Sequence, residues 1–283
     1  MTAALYKTIT SIGTCVNLSN RAKWRLSGSD RIRYLNGQVT NDVRTAKDTA
    51  ALYACVTNLK GRIEAGIFIH AAPDGESLLL DADASLRDNL GMRLEKYIIA
   101  DDAVLEDVTD EWQLWHLLGS QQPLEAGHAL ANDLRFGLPG TDVWLPTGTD
   151  VSSLSTLSAE EAETLRILQK VPAYPSELNA DTFPQEAGLE GTTMSYTKGC
   201  YIGQEILSRI KTTGKMPRQL IAWSSDANLA VDEVIVNDEG KEVGRITSVA
   251  WHPVKEAFVG LGYVKQASAD GVLKTVAGGL QVG

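Results

Sequence analysis

Between Leu52 and Leu80 three apolar runs, Leu52 to Thr57, Arg62 to Ala71 and Ser77 to Leu80, are separated by Asn58-Leu59-Lys60-Gly61 and Pro73-Asp74-Gly75. Runs this short, joined by residues that favour tight turns, predict an antiparallel meander. Upstream, Ala22 to Leu26 alternates as a strand, and Gly28-Ser29-Asp30 predicts the cap of a helix that passes through Ile32 and Leu35 and ends at Asn36-Gly37. Downstream, Leu86, Leu90, Leu94 and Ile98 recur every four residues and mark an amphipathic helix, followed by strand-like Ala103 to Val108 and Trp112 to Leu118. Strands, one helix and more strands predict an α+β unit over residues 51–140.

Trp144 and Leu145 mark at most one short strand in the polar connection from Leu138 to Ser158. Ser158 and Glu161 then form a capping-box pattern, and Ala162, Leu165 and Leu168 continue a helix that Pro172 terminates. The proline-rich stretch from Val171 to Met194 is irregular and carries Phe183-Pro184-Gln185-Glu186, where Glu186 is either a solvated acid or part of a site. Past Gly214 and Pro217 the pattern is short strands only: Gln219 to Trp223, Val231 to Val236, Glu242 to Ala250, Ala257 to Val264 and Val272 to Val276. A small antiparallel barrel closes the chain on this reading.

The chemistry concentrates in Lys198-Gly199-Cys200-Tyr201-Ile202-Gly203-Gln204-Glu205 and on to Arg209. Ile202, Ile206 and Ile210 would face a core and leave Cys200, Gln204, Glu205 and Arg209 on the polar side. A cysteine at a helix start gains from unpaired N–H groups and the helix dipole, which favour its thiolate. From Lys198 to Arg218 the basic residues Lys198, Arg209, Lys211, Lys215 and Arg218 outnumber the acid Glu205. That patch is local, because 26 Lys and Arg against 36 Asp and Glu give the chain a formal net charge of −10. Such a balance disfavours general nucleic-acid or anionic-membrane binding.

No apolar run reaches bilayer length and Met1 to Lys7 lacks a signal-peptide core, so a cytoplasmic location is expected. Cys15, Cys55 and Cys200 are far apart, which leaves no disulfide framework and no self-contained metal site; no stably bound metal is expected. Cys15 and Cys55 are taken as structural, and the scattered His70, His116, His128 and His252 as surface or packing residues. Thr40-Asn41-Asp42 can either cap a helix or turn Asn41 and Asp42 towards the donors of a ligand.

The Lys198 to Arg209 motif resembles the signature of the YgfZ family of folate-binding proteins, relatives of the T-protein (aminomethyltransferase) of the glycine cleavage system. Arg33-x-Leu35-x-Gly37-x-Val39-Thr40-Asn41-Asp42-Val43, Lys60-Gly61-Arg62, Arg166-Ile167, Pro184-Gln185-Glu186 and Val243-Gly244-Arg245 fall in that family's order. The resemblance implies three domains around a central opening: residues 1–50 with 141–215, an inserted ferredoxin-like domain over 51–140, and the barrel over 216–283. It implies tetrahydrofolate or a one-carbon derivative as cofactor, and a role in assembling or maintaining iron–sulfur proteins with consequences for tRNA modification. Iron–sulfur clients or assembly machinery would be the partners, and a monomer is expected.

On this resemblance Cys200 is the reactive thiol, and Asn41, Asp42, Glu186, Lys198, Tyr201, Gln204, Glu205 and Arg209 surround the folate. Lys198 and Arg209 would steady the thiolate or hold the anionic tail, Asn41 and Asp42 would meet the pterin, and Gln204 and Glu205 would orient the site. Two departures separate the chain from the T-protein: Lys60 to Ala65 keeps Glu64 alone of the T-protein's acidic segment, and Arg166 to Lys170 lacks its folate-binding glutamate and has Lys170 in place of its glycine. Three functions stay open: a folate-dependent factor for iron–sulfur proteins acting through Cys200, a folate-dependent aminomethyl- or methyltransferase using Glu64, and a non-catalytic folate-binding module with Cys200 buried.

Overall fold

The computed structural model describes residues 1–11, 13–47, 49–119 and 127–283. The chain runs α1 (Ala3–Ser11), β1 (Thr14–Asn17), β2 (Ala22–Ser27), α2 (Arg31–Gln38), β3 (Leu52–Thr57), β4 (Ile63–Ala71), β5 (Leu78–Ala82), α3 (Arg87–Glu95) and β6 (Val104–Asp107). It continues through β7 (Trp112–Leu118), β8 (His128–Ala131), β9 (Gly140–Pro146), β10 (Thr156–Leu157), α4 (Ala159–Leu168), α5 (Glu190–Thr193) and α6 (Gln204–Thr213). The last part is β11 (Arg218–Ser225), β12 (Val234–Val236), β13 (Glu242–His252), β14 (Ala257–Lys265), β15 (Leu273–Lys274) and β16 (Gly279–Val282).

Among the described residues these strands build two five-stranded sheets and a closed barrel. The meander forms as expected, β3 pairing with β4 and β4 with β5, and its sheet is completed by β2 and β6 in the order β3-β4-β5-β2-β6. The other sheet runs β10-β1-β7-β9-β8. Strands therefore cross the expected boundaries: β2 precedes residue 51 yet joins the meander, whereas β7 and β8 fall within 51–140 yet join β1 and β9. Trp144 and Leu145 lie at full burial in a strand of seven residues, longer than the polar connection suggests.

Strand alternation gives the meander sheet two buried faces. One carries Trp24, Leu26, Ile67, Ile69, Leu78 and Leu80 against α2 and α3, where Leu86, Leu90 and Leu94 are buried as the four-residue spacing predicts. The other carries Phe68, His70, Leu79 and Asp81 towards the second sheet, and Leu79 packs with Leu114, Leu130 and Trp144 there. The Ser158–Glu161 capping box is present with both reciprocal bonds. At α2 the expected side-chain cap is absent, because the Asp30 carboxylate accepts instead from the Asp102 backbone and from Arg33.

The barrel closes through β11 pairing with both β14 and β16, around Ile221, Trp223, Ile235, Ile246, Val264 and Leu280. The strand expected over Val231 to Val236 is shorter, β12, the one expected over Val272 to Val276 shrinks to β15, and β15 pairs with β16, a strand beyond the expected ones. Two buried carboxylates fix the barrel to the body. Glu177 accepts from Arg166 at 3.0 Å and from Ser248 at 2.6 Å, while Glu186 meets Arg218 at 3.4 Å and its carbonyl accepts from the Leu220 N–H at 2.8 Å.

Where the two sheets face each other, the interior is polar. Arg135 donates to Asp81 at 2.9 Å and to Asp142 at 2.6 Å, bridging β5 and β9. Arg21 also bonds Asp81, His70 Nε2 lies 3.0 Å from Asp81, and His116 Nδ1 lies 2.8 Å from Asp142. His70 and His116 are thus buried members of an ionic network rather than surface residues. Burial alone would raise the Asp142 carboxyl; the Arg135 charge and the His116 bond outweigh it and hold it well below the usual carboxylate range. Asp81 is held low against burial in the same way, by Arg135 and Arg21.

Because both folded carboxyls are depressed, their stabilisation is complete above the unfolded pKa of about 3.9 and is lost as pH falls below it. Asp142→Asn leaves Arg135 short of one counter-charge in a dry interior, and we expect a loss of about 3–5 kcal/mol, measured by urea unfolding at neutral pH. A variant within 1 kcal/mol of wild type, by the scatter typical of exposed ion pairs, would contradict this account.

Candidate functional site

The cysteine motif is shaped by Gly203, which takes φ 87. A Cβ at that position would lie 2.6 Å from the Asn58 carbonyl, so only glycine lets the loop approach the β3–β4 turn this closely. Thr57 adds a hydroxyl bond of 2.6 Å to the Ile202 carbonyl. Helix α6 begins after this glycine, at Gln204, and Cys200 lies ahead of it on an exposed loop rather than in a helical first turn. The apolar stripe shifts accordingly: Leu207 and Ile210 are buried, with Ile206 packed beside them, while Ile202 is half-buried.

Lys198 does not serve the thiol. Its buried ammonium donates to the carbonyls of Val39 at 2.7 Å and Asn41 at 2.6 Å and lies 5.0 Å from the Tyr201 ring centre. Burial, partly offset by the Asp42 charge, pushes it down to about 8. Asn41 in turn donates to the carbonyls of Tyr53 at 2.9 Å and Thr192 at 3.1 Å and accepts from the Asp42 N–H at 2.9 Å, which occupies both ends of its amide. Asp42 caps the short 3₁₀ turn at Val43–Thr45 and pairs with Arg44 at 2.7 Å, and that bond holds its carboxyl below the ordinary value.

The structure thus brings Asn41, Asp42, Lys198 and Tyr201 together, with the buried Tyr201 hydroxyl left without a partner. Gln204 accepts from the Tyr201 N–H at 3.3 Å. Glu205 and Arg209 pair with each other at 3.4 Å on the surface, so Arg209 spends its charge locally. Glu186 is buried elsewhere, bonded by the Phe183 N–H at 2.9 Å and flanked by Arg62 at 3.3 Å and Arg218 at 3.4 Å, with one oxygen unpartnered. Glu64 is held by Arg93 at 3.0 Å.

A cavity of about 710 Å³ opens between the sheets, α4 and the segment after it. None of Cys200, Asn41, Asp42, Glu186, Lys198, Tyr201, Gln204, Glu205 and Arg209 lines it, whereas Arg166 and Lys170, where the sequence departs from the T-protein, do. Its walls include Tyr53 and Phe68, stacked at 4.4 Å between ring centres, with Arg135 3.9 Å over Phe68, and also Phe136 and Tyr174. Asn41 reaches it from behind through Tyr53 and Thr192, which both line it. Arg166 lines it too but is saturated by Glu163, Glu177, Ser248 and the Val171 carbonyl. Arg21 spends only Nε on Asp81, and the Lys170 ammonium has no hydrogen bond or ion pair among the described residues.

Sequence patterning missed this cavity because its lining is drawn one or two residues at a time from Val16 to Thr192. The available signal was Phe68, His70 and Asp81, large or polar residues on the second face of strands that otherwise read as apolar. His70, Asp81 and Asp142 place ligand atoms within 4.8 Å of one another, a spacing that could hold a metal ion. Arg135 already bonds both carboxylates, so a cation there would have to displace it.

No family model matches the chain. It is 28% identical over 289 aligned positions to a chloroplastic protein of Arabidopsis thaliana whose name describes a transferase, covering 90% of this chain and 66% of that one. It is 26% identical to the tRNA-modifying protein YgfZ of Yersinia enterocolitica, over 77% of this chain and 72% of the relative, and 28% identical to the YgfZ of Yersinia pestis over 76% and 72%. The chain thus spans about two thirds of the length of the plant relative. The glycine cleavage system aminomethyltransferase T of Bartonella henselae shares its fold with a TM-score of 0.86, at 16% identity, over 98% of this chain and 86% of that one. The YgfZ-like resemblance and the T-protein-like α+β fold read from the sequence therefore stand.

Cys15 and Cys55 are buried, and burial raises both thiols, Cys55 to about 12. A disulfide reagent at neutral pH should therefore label Cys200 alone in the folded protein and all three thiols after unfolding. A native count above one would contradict the placement of the buried pair.

Proposed function

We propose that the chain is a tetrahydrofolate-binding factor that supports the assembly or repair of iron–sulfur proteins, including those that modify tRNA, with Cys200 as its reactive thiol. The cavity carries this reading. Its volume of about 710 Å³ and its stacked aromatic wall suit a flat heterocycle, and Arg21 and Lys170 offer donors that the protein itself does not consume. Tyr53, Phe68, Phe136 and Tyr174 would hold the ring system, and the cationic pair its acidic end. When bound, tetrahydrofolate supplies one-carbon chemistry at its N5 and N10 nitrogens.

The protein's own residues have separate duties on this reading. Lys198 and Asn41 act as positioning residues: the ammonium ties down Val39 and Asn41, and the Asn41 amide ties down Tyr53 and Thr192 in the cavity wall. Cys200, exposed on the loop two residues beyond Lys198, is open to a macromolecular client. An iron–sulfur cluster takes about four protein ligands, so one thiol serves as a transient or shared ligand, or as a nucleophile. A buried, inert Cys200 in a pure docking module is disfavoured by that exposure. The transferase alternative is disfavoured because Glu64 is engaged by Arg93 and lies outside the cavity lining. No described helix is long and apolar enough to cross a membrane, and a cytoplasmic place of action remains part of the proposal.

Calorimetric titration with tetrahydrofolate should give saturable binding to wild type and to Cys200→Ala, and loss of binding in Thr192→Trp, which fills the cavity mouth. Absence of binding by wild type would remove the folate half of the proposal. In cells lacking the protein, Cys200→Ala should fail to restore iron–sulfur enzyme activity under oxidative stress; full rescue would remove the thiol half.

A further inference from the structure

The meander sheet ends at β6, and no strand pairs with its outer side among the described residues. Val108 donates to the Lys23 carbonyl at 3.0 Å, which fixes the parity of the ladder between β2 and β6. Bonded and non-bonded pairs alternate along an antiparallel ladder, so Glu106 and Val104 bond inward to β2, as Val108 does. The N–H and C=O groups of Leu105 and Asp107 therefore point outward. Val104, Glu106 and Asp107 are exposed, which leaves this edge open to solvent.

Leu105 and Asp107 stand opposite Leu26 and Trp24, so their side chains share the face on which α3 packs. Between α3 and the edge runs a groove of about 430 Å³, floored by Trp24 and Leu105 and bordered by Met92 of the helix. Asp88 and Glu95 also line it, and their carboxylates make no hydrogen bond or ion pair among the described residues. Arg87, the one base in the lining, is spent on Asp107 at 2.6 Å and on Asp110 at 2.8 Å. The edge itself has the same sign: Asp101, Asp102, Glu106, Asp107, Asp110 and Glu111 lie in a stretch with no basic residue.

We propose that the outer edge of β6 and the groove beside α3 take an extended, basic segment of a partner protein as an added strand. Main-chain bonds to Leu105 and Asp107 hold the segment's backbone, and its alternate side chains enter the groove. There the stems of lysine or arginine lie along Met92 and Leu105, and their heads meet Asp88 and Glu95. Charge decides between occupants. A second copy pairing through its own β6 would set Glu106 and Asp107 against the same acids, and like charges directly opposite are destabilising. Charged edges ordinarily keep other strands away, but an edge of one sign excludes acidic strands and admits basic ones. Neither the cavity between the sheets nor Cys200 takes part in this surface.

The test is fluorescence anisotropy of a short labelled peptide of alternating lysine and valine, titrated with the full chain. Binding should saturate and weaken with salt, and a glutamate–valine counterpart should not bind. N-methylation of alternate amides, at the lysines or at the valines, keeps every charge; one set should weaken binding about tenfold and the other should leave it nearly unchanged. Amide hydrogen exchange should slow at Leu105 and Asp107 on binding but not at Val104 and Glu106, which already bond to β2. Asp88→Asn together with Glu95→Gln, at two exposed positions, should weaken the lysine peptide about three- to tenfold. No binding by wild type, equal effects of the two methylated sets, equal binding of the glutamate peptide, or an unchanged affinity in the double variant overturns the proposal. A wild-type dimer in sedimentation that protects the Leu105 and Asp107 amides without peptide overturns it in favour of a second copy.

Discussion

Arg135 is the interaction on which the two sheets depend. Its guanidinium bonds Asp81 on one sheet and Asp142 on the other, and both carboxylates are fully buried. Two acids facing each other across a dry interior would repel and lose their hydration; the shared cation, with Arg21 and the two histidines around it, offsets both penalties. Apolar packing at Leu79, Leu114 and Trp144 fills the same interface but is non-directional. The ion network selects one alignment of the sheets, and it forms one boundary of the cavity, since Arg135 and Phe68 line it together.

The second organising contact joins the cysteine signature to the cavity without placing it there. Lys198 secures the backbone at Val39 and Asn41, and Asn41 secures Tyr53 and Thr192. One side chain of the motif, Lys198, thus supports the cavity wall from one layer behind it, while Cys200, Glu205 and Arg209 stay on the surface. Gly203 and the β3–β4 turn complete the arrangement by fixing the base of the loop that exposes Cys200.

Legibility in the sequence followed the range of the interactions. The capping box at Ser158 and Glu161, the meander and the stripe of Leu86, Leu90 and Leu94 are set by neighbours a few residues apart and formed as their patterns predict, although the helix ends at Glu95, short of the expected Ile98. The pairing of β1 with β7, across about a hundred residues of chain, leaves no local trace. Asp81, with Phe68 and His70, was a signal that could not be resolved, because a single acid in an apolar strand, like Asp142, looks like a solvent-facing position until its partner arrives from another sheet. For the candidate site, exposure of Cys200 was legible from its polar surroundings, but the start of α6 was displaced by the conformation of Gly203. Lys170 stood out as a departure within Arg166 to Lys170, but that it shares a cavity lining with Arg21 was not legible, because the two are far apart in the chain.

The anchoring of the barrel constrains traffic into the cavity. Glu177 and Glu186 lie in the body of the protein, but their carboxylates are completed by Ser248 and Arg218 of the barrel, and the Tyr263 hydroxyl adds a bond of 3.0 Å to the Glu177 carbonyl. Swinging the barrel aside would strand two buried acids at once, a cost that ordinary thermal opening does not meet. Access to the cavity then falls to its exposed lining, which includes Asn17, Asn20, Asp133, Lys170 and Thr192, where no buried charge has to separate. The barrel acts as a fixed doorpost, and the threshold lies in the exposed part of the lining, at residues such as Lys170.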